Sequence, residues 1–127
     1  MPSRVQRVAA SISETQEIRV NETEFKQRVD AILAHIEAQL EDCESDLDWD
    51  FADGILDIEC EGGSHIIINR QVPTRQIWVA TRADGYHFDL GDDGRWRQGE
   101  MELFALLNQT LREQCGETLQ LTPPGTP

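Results

Sequence analysis

Glu37, Glu41, Asp42, Glu44, Asp46, Asp48 and Asp50 place seven carboxylates within residues 37–50 of the chain, with no Lys or Arg among them. Carboxylate oxygens are hard ligands that suit Mg²⁺, Ca²⁺, Mn²⁺ and ferrous or ferric iron better than zinc or copper. The spacing limits what such a set can do. Glu37 and Glu41 stand one helical turn apart, and Glu44 continues that flank. Asp46, Asp48 and Asp50 alternate as on one side of a strand, about 6.6–7 Å from one to the next. A chelate needs its oxygens within ~2–2.6 Å of one ion, and ligands on two convex elements do not converge in that way. Cations are therefore expected to bind singly, wet and weakly.

Acid–base catalysis by paired carboxylates needs unlike environments in a cleft, whereas these acids belong to an open surface. There is no Glu-x-x-His pair of the di-iron type, no Ser/Cys–His nucleophile pattern and no phosphate-binding glycine loop. The expectation is a protein without a catalytic centre. His35, His65 and His87 lie far apart in the chain and form no zinc-type pair; His87, beside Asp89, is a candidate secondary iron contact. Cys43, Cys60 and Cys115 are odd in number, widely spaced and free of any C-x-x-C. That argues against a disulfide framework or a thiolate zinc site, and for small buried thiols in a reducing compartment.

Charge narrows the partners. The formal net charge is −13, and residues 29–69 hold twelve acids and no Lys or Arg, while residues 70–97 hold five Arg. The acidic stretch repels phosphate, which excludes a nucleic-acid backbone as its partner and favours cations or a basic protein surface. No apolar run approaches the ~20 residues that span a bilayer.

The elements that must position these residues are set by periodicity. In "NETEFKQRVDAILAHIEAQLEDC", Phe25, Val29, Ile32, Leu33, Ile36 and Leu40 recur at helical spacing, which predicts a helix from about Thr23 to Cys43. Asn21 and Glu24 fit a capping box at its start. Asp30, Glu37, Glu41 and Glu44 then form a ridge along one flank. "DLDWDF" alternates as a half-buried strand with Leu47, Trp49 and Phe51 inward. "ADG" and "EGGS" turn the chain into "ILDIEC" and "HIIIN"; "QIWVAT", "YHFDL" and a short segment around Trp96 supply further strands. "EMELFALLNQTLREQCG" reads as a second helix with Gly116 as its C-cap. Two amphipathic helices cover one face of a sheet, so the expected fold is α+β, a two-layer sandwich with both helices on one face of an antiparallel sheet of about six strands. "ETLQL" can pack an apolar side, and "TPPGTP" reads as a loose tail. The expected organisation is an N-terminal extension over 1–20, a domain over 21–121 and the tail over 122–127. The extension carries Arg4 and Arg7 with Val5, Val8, Ala9 and Ile12 at helical spacing, a pattern shared by organellar presequences and by disordered leaders.

On the uncovered face, Ile77 and Val79 point inward and Trp78 outward, with Asn69, Gln71, Gln76 and His87 around it. An exposed indole ringed by amides has the makeup of an interface anchor; the alternative is an indole lying flat to shield the sheet.

"IINRQVPTRQIWVATRADGYHFDL", residues 67–90, closely resembles the signature of the frataxin family, particularly its bacterial members. Asn69-Arg70-Gln71-x-Pro73 with Gln76-Ile77-Trp78, and then Gly85-Tyr86-His87-Phe88-Asp89, carry the resemblance, which extends over about residues 24–121 in element order. It implies a frataxin-like fold and an iron-binding regulatory or chaperone protein of iron–sulfur cluster assembly. Glu37, Glu41, Asp42, Glu44, Asp46, Asp48 and Asp50 would hold Fe²⁺ or Fe³⁺ weakly, with other divalent cations as competitors. Asn69, Gln71, Trp78 and His87 would dock on the cysteine desulfurase and its scaffold protein. The resemblance further implies a monomer that can oligomerise with iron, in the bacterial cytoplasm or, if residues 1–20 are a presequence remnant, in a mitochondrion. An iron carrier with ferroxidase-like activity is the alternative reading.

Overall fold

The computed structural model describes residues 21–43 and 47–124. Helix α1, Glu22–Asp42, leads into seven strands: β1 Asp48–Ala52, β2 Ile55–Glu59, β3 His65–Gln71, β4 Gln76–Ala80, β5 Gly85–Leu90, β6 Trp96–Gln98 and β7 Met101–Glu102. Helix α2, Leu103–Thr110, comes next, and its last turn, Leu111–Cys115, widens into a π-helix. The strands lie in sequence order, each antiparallel to the next, so the sheet is a meander with β1 at one edge.

Helix α1 starts where the Asn21 side chain accepts a hydrogen bond from the Glu24 amide at 2.7 Å, the cap read from the sequence. Its stripe of Phe25, Val29, Ile32, Leu33, Ile36 and Leu40 is buried, together with Leu103, Leu107 and Leu111 of the second helix. These pack on the inward residues of the sheet, among them Leu56, Ile58, Ile66, Ile68, Ile77 and Phe88. Each such side chain contributes about 1.5–3 kcal/mol when fully buried. Trp96 is core, with Phe25 edge-on at 6.1 Å between ring centroids.

The two-layer α+β architecture is the expected one, and three local expectations change. The sheet has seven strands rather than about six, because Met101 and Glu102, read as the start of the second helix, turn back on Arg97 and Gln98 through Gly99 at φ 61°. Glu102 then caps α2, its carboxylate accepting from the Ala105 amide. Cys60 and Cys115 form a disulfide across a sequence separation of 55, contrary to the expectation of free thiols. The fold brings the end of β2 to the end of the second helix, a proximity that spacing along the chain cannot reveal. Thr122, read as part of a loose tail, is held by Gln39, whose side chain accepts from its amide at 2.9 Å and donates to its carbonyl at 3.0 Å. Leu121 beside it is buried, as an apolar side in "ETLQL" requires. Residues 1–20 and 125–127 lie outside the described residues, and with them the readings of an extension and of the tail's end.

The turn between β1 and β2 shows why its glycine is needed. Asp53 and Gly54 both have positive φ, 54° and 76°, the two-residue hairpin turn that Asp-Gly favours. A Cβ at Gly54 would also lie 2.8 Å from Cζ of Arg70, whose amide donates to the Gly54 carbonyl. That close approach lets Arg70 pass beneath the hairpin to helix α1.

Candidate functional site

The candidate acids divide between two surfaces that meet at the β1 edge. Glu37, Glu41 and Asp42 lie on the last turns of α1; Glu41 and Asp42 are exposed and Glu37 is half-buried. Asp48 and Asp50 are exposed on β1, on the opposite side of that strand from Trp49. Trp49 ties the two surfaces together. Its ring packs against the core, as expected, and its Nε1–H donates to the Glu37 carboxylate at 3.3 Å. Glu44 and Asp46 lie outside the described residues, in the connection between the two surfaces.

Asp30, placed on the same ridge by periodicity, belongs elsewhere. Arg70, at an inward position of β3, reaches it in a 2.5 Å ion pair. A ridge read from helical period alone cannot see a cation arriving from the sheet.

The sequence also missed two acids. Asp57 stands directly across from Asp50, and Glu59 directly across from Asp48. Four carboxylates thus share the open face of the β1–β2 hairpin in two like-charged cross-strand pairs, an arrangement that is destabilising when nothing neutralises it. The alternation of "ILDIE" was the available signal, since Leu56 and Ile58 inward place Asp57 and Glu59 outward. Asp57 is partly compensated: His65, on β3, meets it at 2.7 Å through Nδ1. That hydrogen bond, assisted by the charges of Asp57 and Glu59 against partial desolvation, raises the His65 pKa above its ordinary value.

The Lys and Arg ion pairs of the described residues lie away from this edge. Lys26 pairs with Glu22, Arg28 with Glu24, Arg70 with Asp30 and Arg97 with Asp93. The Arg97 hydrogen bond, with that of the Arg95 amide, holds the Asp93 carboxyl down at about 2. Among the described residues, none of Glu37, Glu41, Asp42, Asp48 and Asp50 has such a partner. Among the described residues, no three His, Cys, Asp or Glu side chains gather as a metal cage. The donors are hard, exposed and dispersed, which fits a hydrated hard cation and does not fit a zinc- or copper-type centre.

The other half of the open face is differently built. Ile55, Asn69, Trp78 and His87 form one cross-strand row over β2–β5. Trp78 is half-buried rather than freely exposed, because the His87 ring stacks on it at 4.2 Å with 13° between planes. Its Nε1–H donates to Gln76 at 2.8 Å, and the Gln76 amide donates onward to Asp89 at 3.1 Å. Gln71 lies opposite Gln76 in the next row. His87 is therefore the wall of an aromatic plate, while Asp89 beside it accepts from Gln76. Ile55, 40% exposed, extends the row and was missed because its turn position masks the alternation.

Residues 18–117 match the model of the frataxin-like domain. The chain belongs to the frataxin family. Its curated relatives include "Iron-sulfur cluster assembly protein CyaY" of Pseudomonas aeruginosa, 42% identical over 80% of this chain and 96% of that protein. The protein of the same name in Vibrio cholerae is 40% identical over 79% of this chain and 97% of its own length. Among solved structures, frataxin from Psychromonas ingrahamii is 35% identical, with a TM-score of 0.74 over 81% of this chain and 99% of that one. Yeast frataxin, 21% identical with a TM-score of 0.59 over 89% of this chain and 95% of its own, shares the fold. The resemblance carried by residues 67–90 is thereby borne out, including its bacterial character. In this frataxin-family fold those residues build β3, β4 and β5, and hence the plate around Trp78.

Proposed function

We propose that the protein serves iron–sulfur cluster assembly as a non-enzymatic, iron-responsive regulator. Its acidic edge takes up Fe²⁺ or Fe³⁺ weakly, and its open sheet face docks on a cysteine desulfurase and the scaffold protein beside it. Other divalent cations compete at the same carboxylates. Family membership and the names of the bacterial relatives support the process, and they favour a cytoplasmic setting. No helix among the described residues is long and apolar enough to cross a membrane.

The observation that carries the reading is the clustering of Glu37, Glu41, Asp42, Asp48 and Asp50 at one edge with, among the described residues, no cationic partner. The proposed iron surface also takes in Glu44 and Asp46, which follow α1 in the chain. Like charges directly opposite on neighbouring strands are destabilising, a cost that a bound cation or a partner's Lys and Arg would remove. The plate of Asn69, Gln71, Trp78 and His87 supplies the apolar anchor with a polar rim.

The test is desulfurase turnover with scaffold present, with and without this protein, across an Fe²⁺ titration. The expected outcome is a change in sulfide production that grows with iron and is lost in Glu41→Gln/Asp48→Asn/Asp50→Asn. Sulfide production that never responds to the protein, with cluster formation rising only when iron is limiting, would replace the regulator by a carrier.

A further inference from the structure

We propose that Cys60 and Cys115 are a thiol–disulfide exchange site whose state controls the C-terminal clasp of the fold. The bond joins two structures of different character. Cys60 is 3% exposed at the end of β2, where its amide donates to Ser64 and its carbonyl accepts from Gly63 in the β2–β3 turn. Cys115 is only partly buried and ends the π-helical turn. Just beyond it Gly116 takes a left-handed conformation and the chain leaves the helix.

The segment after Cys115 holds the two helices together. The Glu117 amide returns to the Leu111 carbonyl. Leu121 is buried and is bound at both ends by the Asn108 side chain, which accepts from its amide at 2.7 Å and donates to its carbonyl at 3.0 Å. Thr122 reaches α1 through Gln39 and His35. The stretch from Cys115 to Thr122 is therefore a clasp from α2 to α1, and the disulfide fixes its root to the sheet. Cutting the bond removes the covalent tie of that root to the β2–β3 turn, leaving the hydrogen bonds of Gln114, while the meander of the sheet keeps its own.

The chemistry favours attack from one side. A small thiolate reaches the more open sulfur, Cys115 Sγ, forms a mixed disulfide there and expels the Cys60 thiolate. A second thiolate attacks the sulfur of the first, giving the free small disulfide and a Cys115 thiolate. Two thiols are oxidised, the protein disulfide takes up two electrons, and the protein thiolates are protonated from water. The leaving sulfur has a stabilising donor in place: the Gln114 side-chain amide lies 3.8 Å from Cys60 Sγ. A donor to the departing thiolate lowers its basicity, and a less basic thiolate leaves faster. The same amide nitrogen reaches Ser64 Oγ and the His65 carbonyl, and Gln114 Oε1 accepts from the Arg82 amide, so the side chain is held by the β2–β3 and β4–β5 turns. Cys43, free at the end of α1, stands outside this arrangement.

The full-length chain carrying Cys43→Ser is equilibrated in buffers from mostly oxidised to mostly reduced glutathione, quenched with a maleimide and weighed. The expected result is a transition in which both remaining thiols become reactive together. Reduction should lower the melting temperature by on the order of 10 °C, as loss of a long-loop crosslink does. Amide exchange should quicken over residues 111–122 and 60–64 but not over β4. A pair that stays bonded in reduced glutathione, or never bonds in oxidised glutathione, overturns the proposal, as does reduction without faster exchange in the clasp. Gln114→Met separates the donor role from a merely structural one. Loss of a leaving-group donor slows reduction several-fold, whereas a loosened turn would quicken it and remove Gln114 from the scheme.

Discussion

The open face of the sheet has two halves that solve the same problem in opposite ways. Toward β1 and β2, Asp48 faces Glu59 and Asp50 faces Asp57, and within the described residues only Asp57 meets a cationic group, His65. Toward β4 and β5, Trp78, His87, Gln76 and Asp89 satisfy one another by stacking and hydrogen bonds. The first half retains an electrostatic cost that an external cation can relieve. The second is internally complete and offers shape and apolar area. One surface therefore presents a salt-sensitive region beside a rigid plate, and the two should fail differently when altered.

The sharpest division comes from Trp78→Ala. It should weaken docking on the desulfurase–scaffold complex by about 2 kcal/mol, roughly thirty-fold, and leave the melting temperature nearly unchanged, because the ring lies outside the helix-covered core. Calorimetric titration and a thermal melt on the same sample check both. Loss of the fold would show that the indole is a structural shield. A smaller effect is expected from Asp50→Asn, which removes one member of a like-charged pair. It should raise stability by about 0.5 kcal/mol at low salt and by less at high salt; a urea series at two salt concentrations reads this. A loss of stability would show Asp50 to be compensated after all.

The smallest effect is a titration. The His65 pKa is raised by its hydrogen bond to Asp57. A folded pKa above the unfolded one gives stability that is complete below the unfolded value, near 6.5, and is lost as pH rises through the folded value. His65 should therefore titrate above the ordinary imidazole value in an NMR pH series, and Asp57→Asn should return it toward that value. Asp93 carries the opposite sign: held at about 2 by Arg97, it contributes above the ordinary carboxylate range and loses that contribution as pH falls through about 2.

An acidic β1 also has a purely structural use, since charges on an edge strand discourage pairing between sheets of neighbouring molecules. Asp48 and Asp50 serve that end whether or not iron binds. Glu41 and Asp42, on the helix, lie off that strand, so protection of the edge does not account for them.

The sequence by itself determined the helix α1 stripe, its Asn21 cap, the turn at Asp53–Gly54, the alternation that sends Trp78 outward and the Gly116 cap. All of these are local, because the repeat of a helix or strand and the φ of a turn residue are set within a few positions of the chain. The family was legible for the same reason, in one continuous run from Ile67 to Leu90. Tertiary structure alone decided which charges stay free. Arg70 withdraws Asp30 from the ridge, Trp49 engages Glu37, Asp57 and Glu59 enlarge the acidic half, and Cys60 finds Cys115. Electrostatic pairing and covalent crosslinking depend on distance through space, and only the folded meander fixes which side chains, from seven to fifty-five residues apart, come together.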